Sequence, residues 1–246
     1  PKKHVDYAEL EASRKELKEL QDLSKNNKRT PEQIRKEKAD YKRFFSIVNK
    51  HLVFYSESNG FYKYYKGIIE YILKHTNITI HYVTSDYNDN VFELAKTYSK
   101  LKPYYIEEKK LITLMMKMDA DVVVMTMPDI ENYHIKRSYI RKDIEYIYIP
   151  HGMDSNNLTQ RTGSMAHYDT VFAVGEHQKE ELLAENKVYN LKDRKVFEWG
   201  YCLLDEMLRD YKKAPKKMKD EFLNSKKIKE NTLKKLDEFQ YDYNTL

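Results

Sequence analysis

The residue of this chain best suited to do chemistry is a histidine held between a proline and a glycine at the tip of an apolar run, Ile149-Pro150-His151-Gly152. Imidazole changes charge near neutral pH, so it can take a proton from a hydroxyl nucleophile. The glycine beside it lets a substrate approach the backbone closely. A histidine at such a place can also be a plain hydrogen-bonding residue, and only its surroundings separate the two roles. Other polar or titratable residues recur just past apolar runs: Ser56-Glu57-Ser58-Asn59-Gly60, Thr84-Ser85-Asp86, Thr126-Met127-Pro128-Asp129, Gly175-Glu176 and Gly200-Tyr201.

The substrate-contacting candidates around His151 are Gly152, Ser56, Glu57, Asp129, Gly175, Glu176, His177 and Asp205. Glu176 and Asp205 each fall in the first turn of an expected helix, where a carboxylate complements the helix dipole without any ligand. His177 opens one of these helices and can serve as a cap. The 22 tyrosines could stack on sugars, but most fall at strand and helix positions that serve packing.

The elements that must position these residues follow from periodicity. Seven short apolar runs read as strands: Leu52 to Tyr55, Ile78 to Val83, Tyr104 to Ile106, Val122 to Met125, Tyr146 to Ile149, Val171 to Val174 and Val196 to Trp199. Between them, Phe61 to Leu73, Val91 to Leu101, Lys109 to Met118, His177 to Asn186 and Leu203 to Tyr211 carry helical spacing. Strands alternating with helices of this length imply βαβ units. The expected fold class is therefore α/β, a Rossmann-like, mainly parallel sheet with helices on both faces, over residues 50 to 211. In such a sheet ligands bind beyond the carboxyl ends of the strands, and the fold would gather several of the strand-end residues along that edge.

The flanks differ in character. Residues 1 to 49 are expected to form a helical arm: Leu10, Leu17, Leu20 and Leu23 make a thin apolar stripe, Asn26-Asn27 breaks it, and Thr30-Pro31-Glu32-Gln33 restarts a helix with a capping box. That helix ends in Phe44, Phe45, Ile47 and Val48, expected to dock on the following domain. Residues 212 to 246 are expected to be a Lys-rich tail or linker of weak helices. Between Lys212 and Lys235 ten lysines face three acids, a local balance of about +7, whereas the whole chain carries +5. The remainder is thus slightly acidic, which argues against a nucleic-acid-binding surface. The tail could instead lie on an anionic membrane surface through residues 212 to 235, each lysine adding up to about 1 kcal/mol.

Several function classes drop out. The 246 residues contain no Gly-x-Gly-x-x-Gly, no Gly-x-x-x-x-Gly-Lys-Ser/Thr, no Cys-x-x-Cys, no His-x-x-x-His and no Gly-x-Ser-x-Gly. A single cysteine, Cys202, excludes an intrachain disulfide framework and fits a reducing compartment. No apolar run approaches the roughly 20 residues needed to span a bilayer. The expected location is cytoplasmic or peripheral on the inner face of the cell membrane.

Four blocks in order, Ile149-Pro150-His151-Gly152, Met165-Ala166-His167-Tyr168-Asp169, Val174-Gly175-Glu176-His177-Gln178-Lys179-Glu180-Glu181 and Gly200-Tyr201-Cys202-Leu203-Leu204-Asp205, resemble those of the CDP-glycerol glycerophosphotransferases, the teichoic acid primases and polymerases. The resemblance implies the amino-terminal, acceptor-side half of a GT-B enzyme. Such an enzyme transfers glycerol phosphate from CDP-glycerol to a hydroxyl of a lipid-linked or polymeric glycerol-phosphate acceptor. It implies a general-base role for His151, no cofactor beyond the donor substrate, and leaves metal dependence open. Two departures stand out. Met153-Asp154-Ser155-Asn156-Asn157 replaces a Thr-Pro-Leu-Lys-type run, and nothing after Lys212 resembles the family's second, nucleotide-binding domain. The chain is accordingly expected to be a fragment with little or no transferase activity alone. A non-catalytic Rossmann-like module that binds a glycan or nucleotide-sugar or scaffolds a partner, and another GT-B glycosyltransferase, are the alternatives.

Overall fold

The computed structural model describes residues 29 to 191 and 193 to 215. The apolar stripe from Leu10 to Leu23 and all of the basic tail beyond Pro215 lie outside the described residues. Seven strands make one sheet: β1 (Lys50–Ser56), β2 (Ile80–Thr84), β3 (Leu101–Tyr105), β4 (Ala120–Met125), β5 (Glu145–Tyr148), β6 (Thr170–Ala173) and β7 (Lys195–Glu198). Their order is β3-β2-β1-β4-β5-β6-β7, and every neighbouring pair is parallel. The α/β, Rossmann-like expectation holds, with a sheet that is wholly rather than mainly parallel.

Side-chain alternation sends successive strand residues to opposite faces, and two separate cores result. On one face Val53, Tyr55, Val83, Val123, Met125, Tyr146 and Val171 pack with Phe44 of α1 (Pro31–Phe45), Leu111, Leu114 and Met115 of α4 (Leu111–Met116), and Leu182 of α6 (Glu176–Val188). On the other, Leu52, Phe54, Ile80, Tyr82 and Val124 meet Tyr65, Ile69 and Leu73 of α2 (Tyr62–His75) and Val91 of α3 (Val91–Thr97). A final helix, α7 (Cys202–Lys213), lies against α2: a Cβ at Gly67 would come within 2.9 Å of Cys202 Sγ, so only glycine allows this approach. Lys66 and Glu206 pair across the same contact.

Helix α1 starts as the sequence indicates. The Gln33 N–H donates to Thr30 Oγ1 at 3.2 Å, and the Thr30 N–H donates to Gln33 Oε1 at 2.9 Å. Its last turns cover the β3 edge of the sheet. The Asp40 carboxylate accepts from the Tyr105 N–H at 2.9 Å, and Arg43 donates to the Pro103 carbonyl at 2.5 Å. Backbone groups that would otherwise be open for pairing are thereby occupied. Of the four residues expected to dock, Phe44 is fully buried and Phe45 and Ile47 pack partly, but Val48 is 72% exposed because it follows the helix in the turn to β1. The helix expected over Val91 to Leu101 stops at Thr97. Leu101 is a buried strand residue paired with Ile80, and Pro103 fits because β3 is an edge strand.

Candidate functional site

The sheet order reverses between β1 and β4, which opens a crevice past the carboxyl ends of these strands. At the tip of β1, Ser56 is fully buried and its hydroxyl donates to the Ser58 carbonyl at 2.8 Å, which turns the chain. Glu57 comes next and is half-buried. Burial, and then the charge of Glu108, raise its carboxyl above the usual carboxylate range. At the neighbouring strand tips, Tyr65 donates to the Tyr55 carbonyl at 2.7 Å, and Tyr168 donates to the Met127 carbonyl. Buried tyrosines thus fix the frame from which the crevice residues project.

His151 stands one strand further on, two residues beyond Ile149, whose N–H pairs with Met125 at 2.8 Å. Its ring is half-buried, with centroids 6.1 Å from Phe61 and 6.0 Å from Tyr64. Its backbone carbonyl accepts from the Tyr201 hydroxyl at 3.1 Å. Its Nδ1 is buried without a hydrogen-bond partner in the protein. A buried polar atom left in that state calls for a partner, and a substrate hydroxyl is one that chemistry could use. The Asp154 carboxyl is held below its usual range, first by the Thr159 hydroxyl and also by His151. A Cβ on Gly152 would sit 2.2 Å from Asp154 Oδ1, so any larger residue there would displace this carboxylate. Together Tyr148, His151, Asp154, Asn156, Thr159 and Gln178 line a polar cleft of about 250 Å³.

The loop that carries His151 is fastened to the first two turns of α6. His177 Nε2 lies 3.0 Å from the Met153 carbonyl. Gln178, almost fully buried, donates to the carbonyls of Gly152 at 3.2 Å and Asp154 at 2.8 Å while accepting from the Val174 N–H at 3.0 Å. Glu181 accepts from the Ser155 hydroxyl at 2.5 Å and the Asn156 N–H at 2.7 Å, which caps the one-turn helix α5 (Asn156–Thr159). Gly175 is the residue at the start of α6, in extended conformation, and Glu176 is exposed beside it.

The structure therefore brings His151 and Gly152 together with His177 through backbone contacts, and sets Ser56 and Glu57 at the switch point of the same edge. Asp129 is engaged elsewhere. It has a left-handed backbone (φ 66°), and its carboxylate accepts from Arg161 at 2.6 Å and Asn132 at 3.1 Å, tying together the loops after β4 and β5. Asp205 is exposed on α7 and borders an outer cleft with Cys202, Leu208, Arg209 and Lys212. The sequence did not single out Gln178, Asp154, Phe61 or Tyr64 for the site, and Tyr201 stood out only as a residue past an apolar run. Gln178 had a signal: it precedes Leu182 by four residues, which places it on the buried stripe of α6.

Among the described residues no group of three or more His, Cys, Asp or Glu could hold a metal ion, and no helix is long and apolar enough to cross a membrane. No protein-family model, no curated protein and no solved structure matches the chain.

Proposed function

We propose that this chain is the acceptor-binding half of a transferase that moves glycerol phosphate from CDP-glycerol to a hydroxyl of a lipid-linked or polymeric acceptor, in teichoic-acid-like or capsular polymer synthesis. The observation that carries this reading is His151: half-buried at the carboxyl edge of a parallel sheet, walled by Phe61 and Tyr64, with a buried Nδ1 that no protein group engages. An imidazole nitrogen removes the proton of the acceptor hydroxyl. The resulting oxygen forms a bond to the β-phosphorus, and the bond from that phosphorus to the bridging oxygen breaks, with CMP leaving on the electron pair. Asp154 stabilises the imidazolium that forms, and Gln178 and His177 hold the loop so that the ring need not search for its position. The residues lining the cleft include no Lys or Arg, which suits the uncharged terminal glycerol unit of the acceptor better than a pyrophosphate. Donor binding is accordingly assigned to residues outside this cleft.

The rings of Phe61, Tyr64 and Tyr201 favour one alternative, a module that binds a glycan by stacking and does no chemistry. One pair of measurements separates the two. A short glycerol-phosphate oligomer titrated into this chain is expected to shift the NMR signals of the His151 ring, while CDP-glycerol leaves them in place. In the product of the complete gene, His151→Ala is expected to abolish CMP release from CDP-glycerol. Turnover that survived the substitution would end the base assignment, and oligomer binding without any CMP release in the unmodified product would favour the binding module.

A further inference from the structure

The opposite end of the sheet carries a second concentration of chemistry that the crevice does not use. Because all seven strands run parallel, the amino ends of β1, β2 and β3 lie together, and the end of α1 closes over them. A cavity of about 510 Å³ opens there, lined by Arg43, Lys50, His51, His81, Lys102 and Tyr104, with Ile47, Asn49 and Thr79. The volume is in the range of small-molecule sites. No carboxylate is among its lining residues.

We propose that this cavity is an anion site for a small phosphate-bearing molecule, with Lys102, Arg43 and His51 at its rim and His81 and Lys50 at its floor. His81 and Lys102 are register partners on adjacent strands, so their side chains stand next to each other on one face. His81 is nearly buried, and its Nδ1 lies 3.0 Å from the Tyr104 hydroxyl, which leaves Nε2 as the ring atom for a ligand. Lys50 is as buried as a core residue. Its ammonium donates only to neutral carbonyls, Ile47 at 2.7 Å and Asp119 at 3.1 Å, and lies 4.5 Å from the centre of the Phe44 ring. Lys102 has no ion-pair partner among the described residues and is exposed at the mouth.

The carboxylates nearby already hold cations. Asp40 is shared by Lys36 and Arg43, Asp119 binds Arg141, and Asp121 binds His51 and Arg141. Arg43 and His51 thus have carboxylate partners, and the charges left without one in the cavity are those of Lys50 and Lys102; burial and then the charges of Lys50, Arg43, His51 and Lys102 push His81 down to about 4. At neutral pH His81 is an uncharged hydrogen-bonding group amid cations. That combination of convergent donors and uncompensated charge fits a phosphate oxygen set. The site lies at the other end of the strands from His151, so a ligand here would be an effector or a structural anion and would not be the transferring group.

The test uses the purified chain and inorganic phosphate, with chloride at matched ionic strength as reference. Saturable binding by calorimetry is expected, together with movement of the His81 ring signals and none of the His151 signals. Lys102→Gln, checked for fold by circular dichroism, is expected to weaken binding about tenfold, the loss of one charge-assisted contact. Lys74→Gln, on the far surface of α2, is expected to leave binding unchanged. Glycerol 3-phosphate in place of phosphate shows whether a phosphomonoester is accepted, and binding no weaker than that of phosphate is the expected result. Absence of saturable binding, an equal loss in Lys74→Gln, rejection of the monoester, or movement of His151 signals in place of those of His81 would each overturn the proposal.

Discussion

The two halves of the sheet are built to different standards. Strands β1, β2 and the inner part of β4 have helices on both faces, and their residues are buried almost without interruption. Strand β5 alternates between buried and half-buried residues, and β7 is open along its length, with Phe197 53% exposed and Trp199, just beyond, 45% exposed. The cause is topological. Crossovers to the left of β1 place α2 and α3 on one face, and those to the right place α4 and α6 on the other. Over β6 and β7 the first face is therefore left to Phe172, which stacks on Trp199 at 5.4 Å. A sheet buried on both sides reads as continuous apolar residues, and one covered on a single side reads as alternation. The closely packed half supplies the frame and the open half carries His151 on a loop fastened separately to α6.

The sharpest way to break this contrast is truncation in each half. Phe54→Ala and Ile69→Ala, both at fully buried positions, are expected to cost about 3 to 5 and about 2 to 5 kcal/mol in denaturant unfolding. Phe197→Ala is expected to cost less than about 1 kcal/mol. Equal losses would show that β7 is covered in solution. Next in size is the acid response of the first half. His81 takes a proton near 6.5 when unfolded and only near 4 when folded, so the unfolded state binds more protons between these values. Stability is then fully present above about pH 6.5 and falls with pH through that window, by up to roughly 3 kcal/mol. His81→Asn is expected to flatten this part of the pH curve, and an unchanged slope would place the effect on another group.

How much of this could be read from the sequence follows the same division. All seven strands were legible as apolar runs; β7, although open, showed only through Val196, Phe197 and Trp199, whereas in β1 and β2 burial on both faces leaves a signal that does not depend on register. The capping box of α1 was legible for a similar reason, since Thr30 and Gln33 interact locally. Element ends were less so. Leu101 looked like the last residue of a helix until its pairing with Ile80 was seen, and no local pattern reports a pairing partner. At the candidate site, His151 and Gly152 were visible through the break that Pro150 makes after an apolar strand. Gln178, Tyr64 and Tyr201 were not, since their roles arise from contacts spanning 26 to 87 residues: the Gln178 bond to Gly152, the Tyr201 bond to His151 and the ring contact of Tyr64. Asp129 showed the converse, a polar residue past a strand whose carboxylate is already held by Arg161.

Gln178 gives the next test, of intermediate size. Its amide makes three hydrogen bonds, two of them to the His151 loop. Gln178→Leu keeps the volume and leaves those backbone groups without partners, which is expected to cost about 1 to 3 kcal/mol. The effect should be local. Hydrogen exchange over residues 151 to 160 is expected to accelerate while that of β1 and β2 stays slow. Uniform acceleration would mean that the loop and the frame unfold as one unit and that the two halves do not differ in the way described.

The smallest effect is the one that bears most directly on the crevice. Glu57 sits at the end of the best-packed strand yet faces the open edge, and burial with the Glu108 charge raises its carboxyl. A folded-state value above the unfolded one means that the folded chain holds this proton more firmly. The stability it contributes is therefore present at acid pH and is lost as pH rises through the raised value. Glu57→Gln removes the ionisation, so relative to the unmodified chain it is expected to be stabilising at pH 7 and neutral near pH 4. Urea midpoints across this range decide the matter. A variant that is instead destabilised at pH 7 would show that the charge of Glu57 has a partner in the crevice, and the switch point would then be held together by an ionised Glu57, where burial alone would leave it a carboxyl kept ready to take up a proton.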